Sequence, residues 1–253
     1  MKYLNIRRVK MTYRKVEKNR FDERFHVLAT YKQIIETELK CAFDDNKRVS
    51  IIRFDLHIPR LCRGQDNPLA QSTQLMKRFF GSLVSKLKAS YSINDVNQTE
   101  VLRYVWVKEF GENGEVEHYH ICLFLNQDKF GFIGNSEYTS RIRENKVTKS
   151  KSLKTCIFEA WGSVFGLDAE LVLTSVHFPE LPVHWIRQQD YNEENEVYKM
   201  AIKRLMYLAK PETKRWGEDC LKSIGTGCMT VKKSIRPRVV NIRARKVAMY
   251  SSK

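Results

Sequence analysis

Several features that would assign a chain of 253 residues at a glance are absent here. No apolar run approaches the ~20 residues that span a bilayer, and Met1-Lys2-Tyr3-Leu4-Asn5 does not begin a secretory signal, so the expectation is a soluble cytoplasmic protein with no membrane partner. The six cysteines (Cys41, Cys62, Cys122, Cys156, Cys220 and Cys228) form no Cys-x-x-Cys pair, and scattered thiols in such a chain read as reduced and structural. There is no Gly-x-x-x-x-Gly-Lys-Ser/Thr phosphate loop, so no nucleotide-driven motor is fused to the chain. Acidic residues are also in short supply, 29 Asp and Glu against 45 Lys and Arg.

That imbalance gives a net charge of +16 and a pI near 9.6. A field of this size attracts phosphate backbones and steers association, which makes nucleic acid the leading partner class. A hydrophobic content of 42% is ample for a core, and the length fits one domain with appendages or two small domains.

The most informative stretch is Glu109 to Leu125, EFGENGEVEHYHICLFL. Successive side chains of a strand point to opposite faces, so His118 and His120 project one way while Tyr119 and Ile121 project the other. The preceding run Arg103 to Lys108 (RYVWVK) is rich in β-branched and aromatic residues, and Asn113-Gly114 is a strong hairpin signal. With that dipeptide as the turn, Glu112 meets Glu115 and Glu109 falls opposite His118. Two imidazoles and one carboxylate, with the remaining positions open, suit Mn²⁺, Mg²⁺ or Zn²⁺.

The coarse element order is regular. Residues 1 to 45 read as charged and helical, with Phe25, Leu28, Ile35 and Leu39 as a partial stripe. Val49 to Ile58 reads as a strand stopped by Pro59, and Leu69 to Leu87 as a helix with Ser72 or Thr73 as its cap. The hairpin over about 101 to 126 follows, then a helix near 150 to 165 and a strand near Glu170 to Phe178. This predicts an α+β fold with a ferredoxin-like βαββαβ antiparallel sheet, whose first and third strands lie at the centre. The paired histidines would then neighbour Arg53, Asp55 and His57, on a face left open by helices that cover the other side. Asp55 and His57 are equally readable as edge polarity or a local hydrogen bond.

Asn192 to Lys210 starts acidic, ends basic and stops before Pro211, as a helix should. Val197, Ala201, Leu205 and Leu208 form its expected buried stripe, with Met200, Lys203, Arg204, Tyr207 and Lys210 on another side. Tyr207 thus stands among cations, which favour a phenolate or balance charge developing on a phosphate. Tyr198, nine residues earlier, lies about 180° around the helix and is badly placed to share such a site. From Val231 onward there are eight Lys or Arg and no Asp or Glu, which reads as a basic arm along phosphates or a solubilising tail.

Three elements in order, RFDLH (Arg53 to His57), HYH (His118 to His120) and YLAK (Tyr207 to Lys210), resemble the motifs of HUH endonucleases. The likeness is strongest to the replication initiators of inoviruses and related prophages, and it spans about Val49 to Arg215. The resemblance implies an HUH-type core over residues 46–215, with a helical extension at 1–45 and a basic tail at 216–253, in a bacterial host cell. It implies a single-stranded DNA nickase that starts rolling-circle replication at an origin, with host helicase and polymerase as partners. It also implies that His118, His120 and Glu109 hold Mn²⁺ or Mg²⁺, with Zn²⁺ less favoured, that Tyr207 is the nucleophile and that Lys210 is its cationic helper. Arg53, Lys203, Arg204, Lys214 and Arg215 would contact DNA. Rival readings are a non-catalytic DNA-binding regulator, a metal-dependent hydrolase using water, and a relaxase or transposase with the same chemistry.

Overall fold

A computed structural model of the chain describes residues 15–20, 22, 26–63, 74–90, 100–110, 117–134, 151–211 and 223–231. The protein is α+β, organised around one large antiparallel sheet. In chain order the elements are β1 (Val16–Lys18), β2 (His26–Leu28), α1 (Ala29–Asp45), β3 (Arg48–His57), α2 (Leu75–Ser90), β4 (Glu100–Phe110) and β5 (Glu117–Asn126). They continue with α3 (Leu153–Phe165), β6 (Val176–His177), β7 (Val183–Arg187), α4 (Glu196–Met206) and β8 (Ile224–Val231).

The large sheet runs β6-β3-β5-β4-β8, with β7 also paired to β3, so the first and third long strands, β3 and β5, sit side by side at its centre. The strand sequences explain this. Ile52, Phe54 and Leu56 of β3 alternate with Tyr119, Ile121, Leu123 and Leu125 of β5 on one face, and all are buried. The amphipathic α2 brings Phe79, Leu83 and Leu87 to that face, and α3 adds Ile157, Ala160 and Trp161. The Trp161 indole donates to the His57 carbonyl at 2.9 Å, fixing α3 to the end of β3. Ser152 caps α3 through its side chain, and Gly166 ends it at φ 68°, a left-handed position that glycine adopts without strain.

The other face differs from the expectation of an open platform. Helix α1 lays Tyr31, Ile35, Leu39, Ala42 and Phe43 against Val49, Ile51, Val105, Cys122 and Phe124, and α4 joins this second core through Ala201, Ile202 and Leu205. An apolar stripe of that length has to be covered, and the sheet supplies the cover. At the end nearest His57 and His118 this face carries a polar cluster.

Other expectations are corrected in detail. The N-terminal region is not one helix: β1 and β2 form a separate two-stranded ladder before α1 begins at Ala29, while 1–14 and Phe25 lie outside the described residues. Helix α2 is described from Leu75, so the Ser72 and Thr73 cap and the turn at Asn113-Gly114 also lie outside them. The strand expected at Glu170 to Phe178 is mostly a 3-10 turn (Ala169–Ser175), and the place beside β3 is filled by the short β6 and by β7. The region expected as a basic tail contributes β8, which pairs with β4 from Glu100↔Val231 to Val107↔Ile224. Its glycines permit this, because a Cβ at Gly225 would lie 2.5 Å from the Trp106 ring and one at Gly227 2.3 Å from Tyr104. Among the described residues no helix is long and apolar enough to cross a membrane, and no disulfide forms among Cys41, Cys62, Cys122, Cys156 and Cys228.

Candidate metal centre

Two strand ladders assemble the polar cluster. The β4–β5 ladder sets Glu109 opposite His118 and Val107 opposite His120, as the hairpin reading requires. The β3–β5 ladder sets Asp55 opposite His120 and His57 opposite His118. Pleat alternation then brings Asp55, His57, Glu109, His118 and His120 to one face. Glu109 Oε2 lies 3.1 Å from His120 Nε2 and 3.9 Å from His118 Nε2. One ligand atom from each of Glu109, His118 and His120 falls within 4.8 Å of the others, so the three could hold a metal ion. The donor set fits such an ion on physical grounds too. A carboxylate 2% exposed, facing two imidazoles with its charge removed from water, is stabilised by a cation among them.

Asp55 completes the arrangement from behind. Its Oδ1 lies 2.6 Å from His120 Nδ1, and a carboxylate can only accept, so Nδ1 carries the proton and Nε2 faces Glu109. His177 Nδ1 sits 3.5 Å from the second Asp55 oxygen, and the His57 and His118 rings stack at 5.2 Å. The charges respond accordingly. Burial opposes a charged His120, but its hydrogen bonds to Asp55 and Glu109 outweigh burial and raise its pKa above the usual value. Burial alone would raise Asp55, yet the hydrogen bond and charge of His120, with Arg53 and His177, hold it below the ordinary carboxylate value. His118 is lowered, by burial first and then by the neighbouring His120.

Tyr207 reaches the same place from α4. The Asn195 side chain accepts from the Val197 and Tyr198 amides at 2.8 and 3.3 Å, so the helix starts there, later than the expected Asn192. It ends at Met206 and tightens into a 3-10 turn, Tyr207–Ala209, with Lys210 at its end. Leu208 and Ala209 are fully buried and press this turn onto the second core. The Tyr207 ring consequently meets His120 edge-on, with centroids 5.7 Å apart and planes at 86°. The Arg53 guanidinium lies 4.2 Å over the Tyr207 ring and the Lys210 ammonium 5.3 Å from its centre. Arg53 Nε is buried without a hydrogen-bond partner, a donor suited to an anion at this spot.

The structure thus brings Glu109, His118, His120, Tyr207, Lys210 and Arg53 together. Of the other expected DNA contacts, Lys203 pairs with Asp22 at 3.7 Å and Arg204 donates to the Leu181 carbonyl, while Lys214 and Arg215 lie outside the described residues. Tyr198 is buried against Tyr191 at 5.2 Å, away from the cluster. The helix stripe is corrected: Ala201, Leu205 and Leu208 are buried, but Val197 is 44% exposed and Tyr198 takes the inward position. Sequence reasoning set Asp55 beside the paired histidines and read it as edge polarity or a local hydrogen bond; the structure shows that bond, to His120. His177 had no signal, since β6 is two residues long.

Comparison with known proteins adds relatives rather than an activity. The protein is 27% identical to "Uncharacterized protein YfjJ" of Escherichia coli (strain K12) over 209 residues, 78% of this chain and 94% of that protein. It is 28% identical to "Uncharacterized protein YagK" of the same strain over 178 residues, 68% of this chain and 79% of that protein. No solved structure matches. The family described as the YagK/YfjJ C-terminal domain matches residues 11–227, and the chain belongs to that family.

Proposed function

We propose that this protein nicks single-stranded DNA through Tyr207, with a divalent metal ion at Glu109, His118 and His120, in the manner of an HUH endonuclease starting rolling-circle replication. One observation carries the reading: the Tyr207 ring packs against His120, whose Nε2 faces Glu109, while Arg53 lies over the same ring. The order of β6, β3, β5 and β4, with β3 and β5 central, is in keeping with a ferredoxin-like βαββαβ core. The net charge of +16 supports a polyanionic substrate.

The ion, Mn²⁺ or Mg²⁺ in this reading, supplies charge stabilisation at a phosphate oxygen worth several kcal/mol when bound. The chain's own residues do the rest. Asp55 holds His120 in the tautomer that presents Nε2. Arg53 and Lys210 hold the scissile phosphate and balance the charge that develops as Tyr207 attacks. The Tyr207 oxygen then bonds to phosphorus as the bond from phosphorus to the 3′-oxygen breaks. That oxygen takes up a proton and leaves as a 3′-hydroxyl, and the 5′-phosphate stays on the tyrosine. One phosphodiester replaces another, so a later 3′-hydroxyl reseals the strand without ATP. The free hydroxyl also primes a host polymerase, and a host helicase unwinds the duplex. A relaxase or transposase would use the same steps.

The test is metal-dependent cleavage of labelled single-stranded DNA, resolved on denaturing gels. The expected product is a protein-linked fragment lost in EDTA and in Tyr207→Phe. Cleavage without attachment would replace this reading with hydrolysis by water, and binding of origin DNA without cleavage would replace it with a regulator.

A further inference from the structure

A second surface, remote from the metal centre, has the chemistry of a single-strand binder. β7 pairs with the start of β3, setting Arg187 opposite Arg48 and Trp185 opposite Ser50. Trp185 and Arg187 are two residues apart and share a face. It is the face of Ile52 and Phe54, opposite to that of His120, and it lies toward the start of β3, where Ser50 is about 17 Å along the strand from Asp55 at ~3.3 Å per residue. Trp185 is 47% exposed and Phe132 76% exposed, and their rings meet edge-to-face at 5.4 Å. The Trp185 indole donates to the Gly131 carbonyl at 2.9 Å, holding the ring in place. Beside this pair opens a cleft of about 680 Å³ lined by Lys47, Arg48, Arg187, Gln188 and Gln189. Its wall is pinned by a hydrogen bond from the Gln188 amide to the Lys47 carbonyl at 2.9 Å. Asp128 approaches Arg48 at 2.7 Å, while the lining itself contains three cations and no acid.

We infer that Trp185 and Phe132, with Lys47, Arg48 and Arg187, form a second docking surface for single-stranded nucleic acid, in which bases stack on the two rings while the cleft takes backbone phosphates. Two exposed aromatic rings cost solvation unless something covers them, and a base does so whatever its identity. Cations and side-chain amides beside them favour phosphate over an apolar protein partner. The sheet lies between this surface and Tyr207, so the surface grips the strand without touching the scissile bond.

The inference rests on the nucleic-acid reading of the metal centre, so the decisive arm runs in EDTA, where binding is measured without cleavage. Fluorescence anisotropy of labelled oligothymidylate should show affinity about tenfold weaker for Trp185→Ala and for Phe132→Ala. For Arg187→Ala the slope of log affinity against log salt should shrink by about 0.7. Phe132→Ala guards against misfolding of the tryptophan variant, since that side chain is mostly exposed, and thermal melting checks each protein. Unchanged affinity and salt slope in well-folded variants overturns the inference, as does equal, Trp185-dependent binding of a blunt duplex. Patch-dependent binding with no tyrosine adduct under any metal would sink the nickase and keep this surface. Adduct formation with patch-independent binding would do the reverse.

Discussion

The two faces of β3 and β5 are made by the same residues of chain, yet they do different work. One face, with Ile52, Phe54 and Leu56 against Tyr119, Ile121 and Leu123, is apolar from Ile52 to Leu56 and is sealed there by α2 and α3. The other is apolar only from Val49 to Ile51, where α1 and α4 cover it, and turns polar at Arg53, Asp55 and His57 beside His118 and His120. Stability is drawn from the first face and from half of the second, and the remainder carries the polar cluster. A polar cluster on a central strand survives because its members satisfy one another, Asp55 to His120 at 2.6 Å and His120 to Glu109 at 3.1 Å.

Substitutions that separate the faces sharpen this contrast. The largest effect expected is loss of detectable cleavage in His118→Ala, with stability within ~1 kcal/mol of wild type, because His118 is only half-buried at the margin of the site. Its counterpart, Phe54→Ala, should cost about 3–5 kcal/mol in denaturant unfolding while the surviving folded protein still binds metal. Equal destabilisation by the two changes would break the comparison. Next in size, Asp55→Asn should weaken metal binding by about 10–100-fold in calorimetry, since it replaces the charged acceptor that orients His120 with a neutral, weaker one.

A pH dependence follows from His120. Its folded pKa is raised, so in the metal-free protein its stabilising contribution is fully present below its unfolded value near 6.5 and is lost as pH rises through the folded value. Metal needs the neutral ring, so metal affinity should climb across that same window, read by titration at several pH values. His118, lowered instead, costs stability only as pH falls below 6.5 through its folded value. The smallest effect concerns the outer side of α4: Val197→Ser should change stability by no more than ~0.5 kcal/mol, against a clear loss for Leu205→Ala, measured by thermal melting.

The site was more legible than the frame around it. The placement of Glu109 opposite His118 follows from a period of two counted outward from Asn113-Gly114, and local arithmetic of that kind carries over intact. The position of Tyr207 beside His120 depended on motif order, because no periodicity links a helix end to a strand. The covered half of the face was not legible, since the stripe of Tyr31, Ile35 and Leu39 says that α1 is buried but not against what. β8 was hidden within the stretch read as a basic tail, and its Gly225 and Gly227 serve to admit Trp106 and Tyr104. The stripe of α4 was misjudged at Val197 because Asn195 starts the helix late and Tyr198, not its neighbour, turns inward toward Tyr191.

The central claim is that the metal donors serve Tyr207. The most direct measurement is mass spectrometry of peptides from protein incubated with single-stranded DNA and Mn²⁺, then nuclease-trimmed. The account predicts a nucleotide-phosphate mass on the peptide containing Tyr207, absent in EDTA and in His120→Ala. Cleaved DNA with that peptide unmodified, or the mass on another tyrosine, would contradict it.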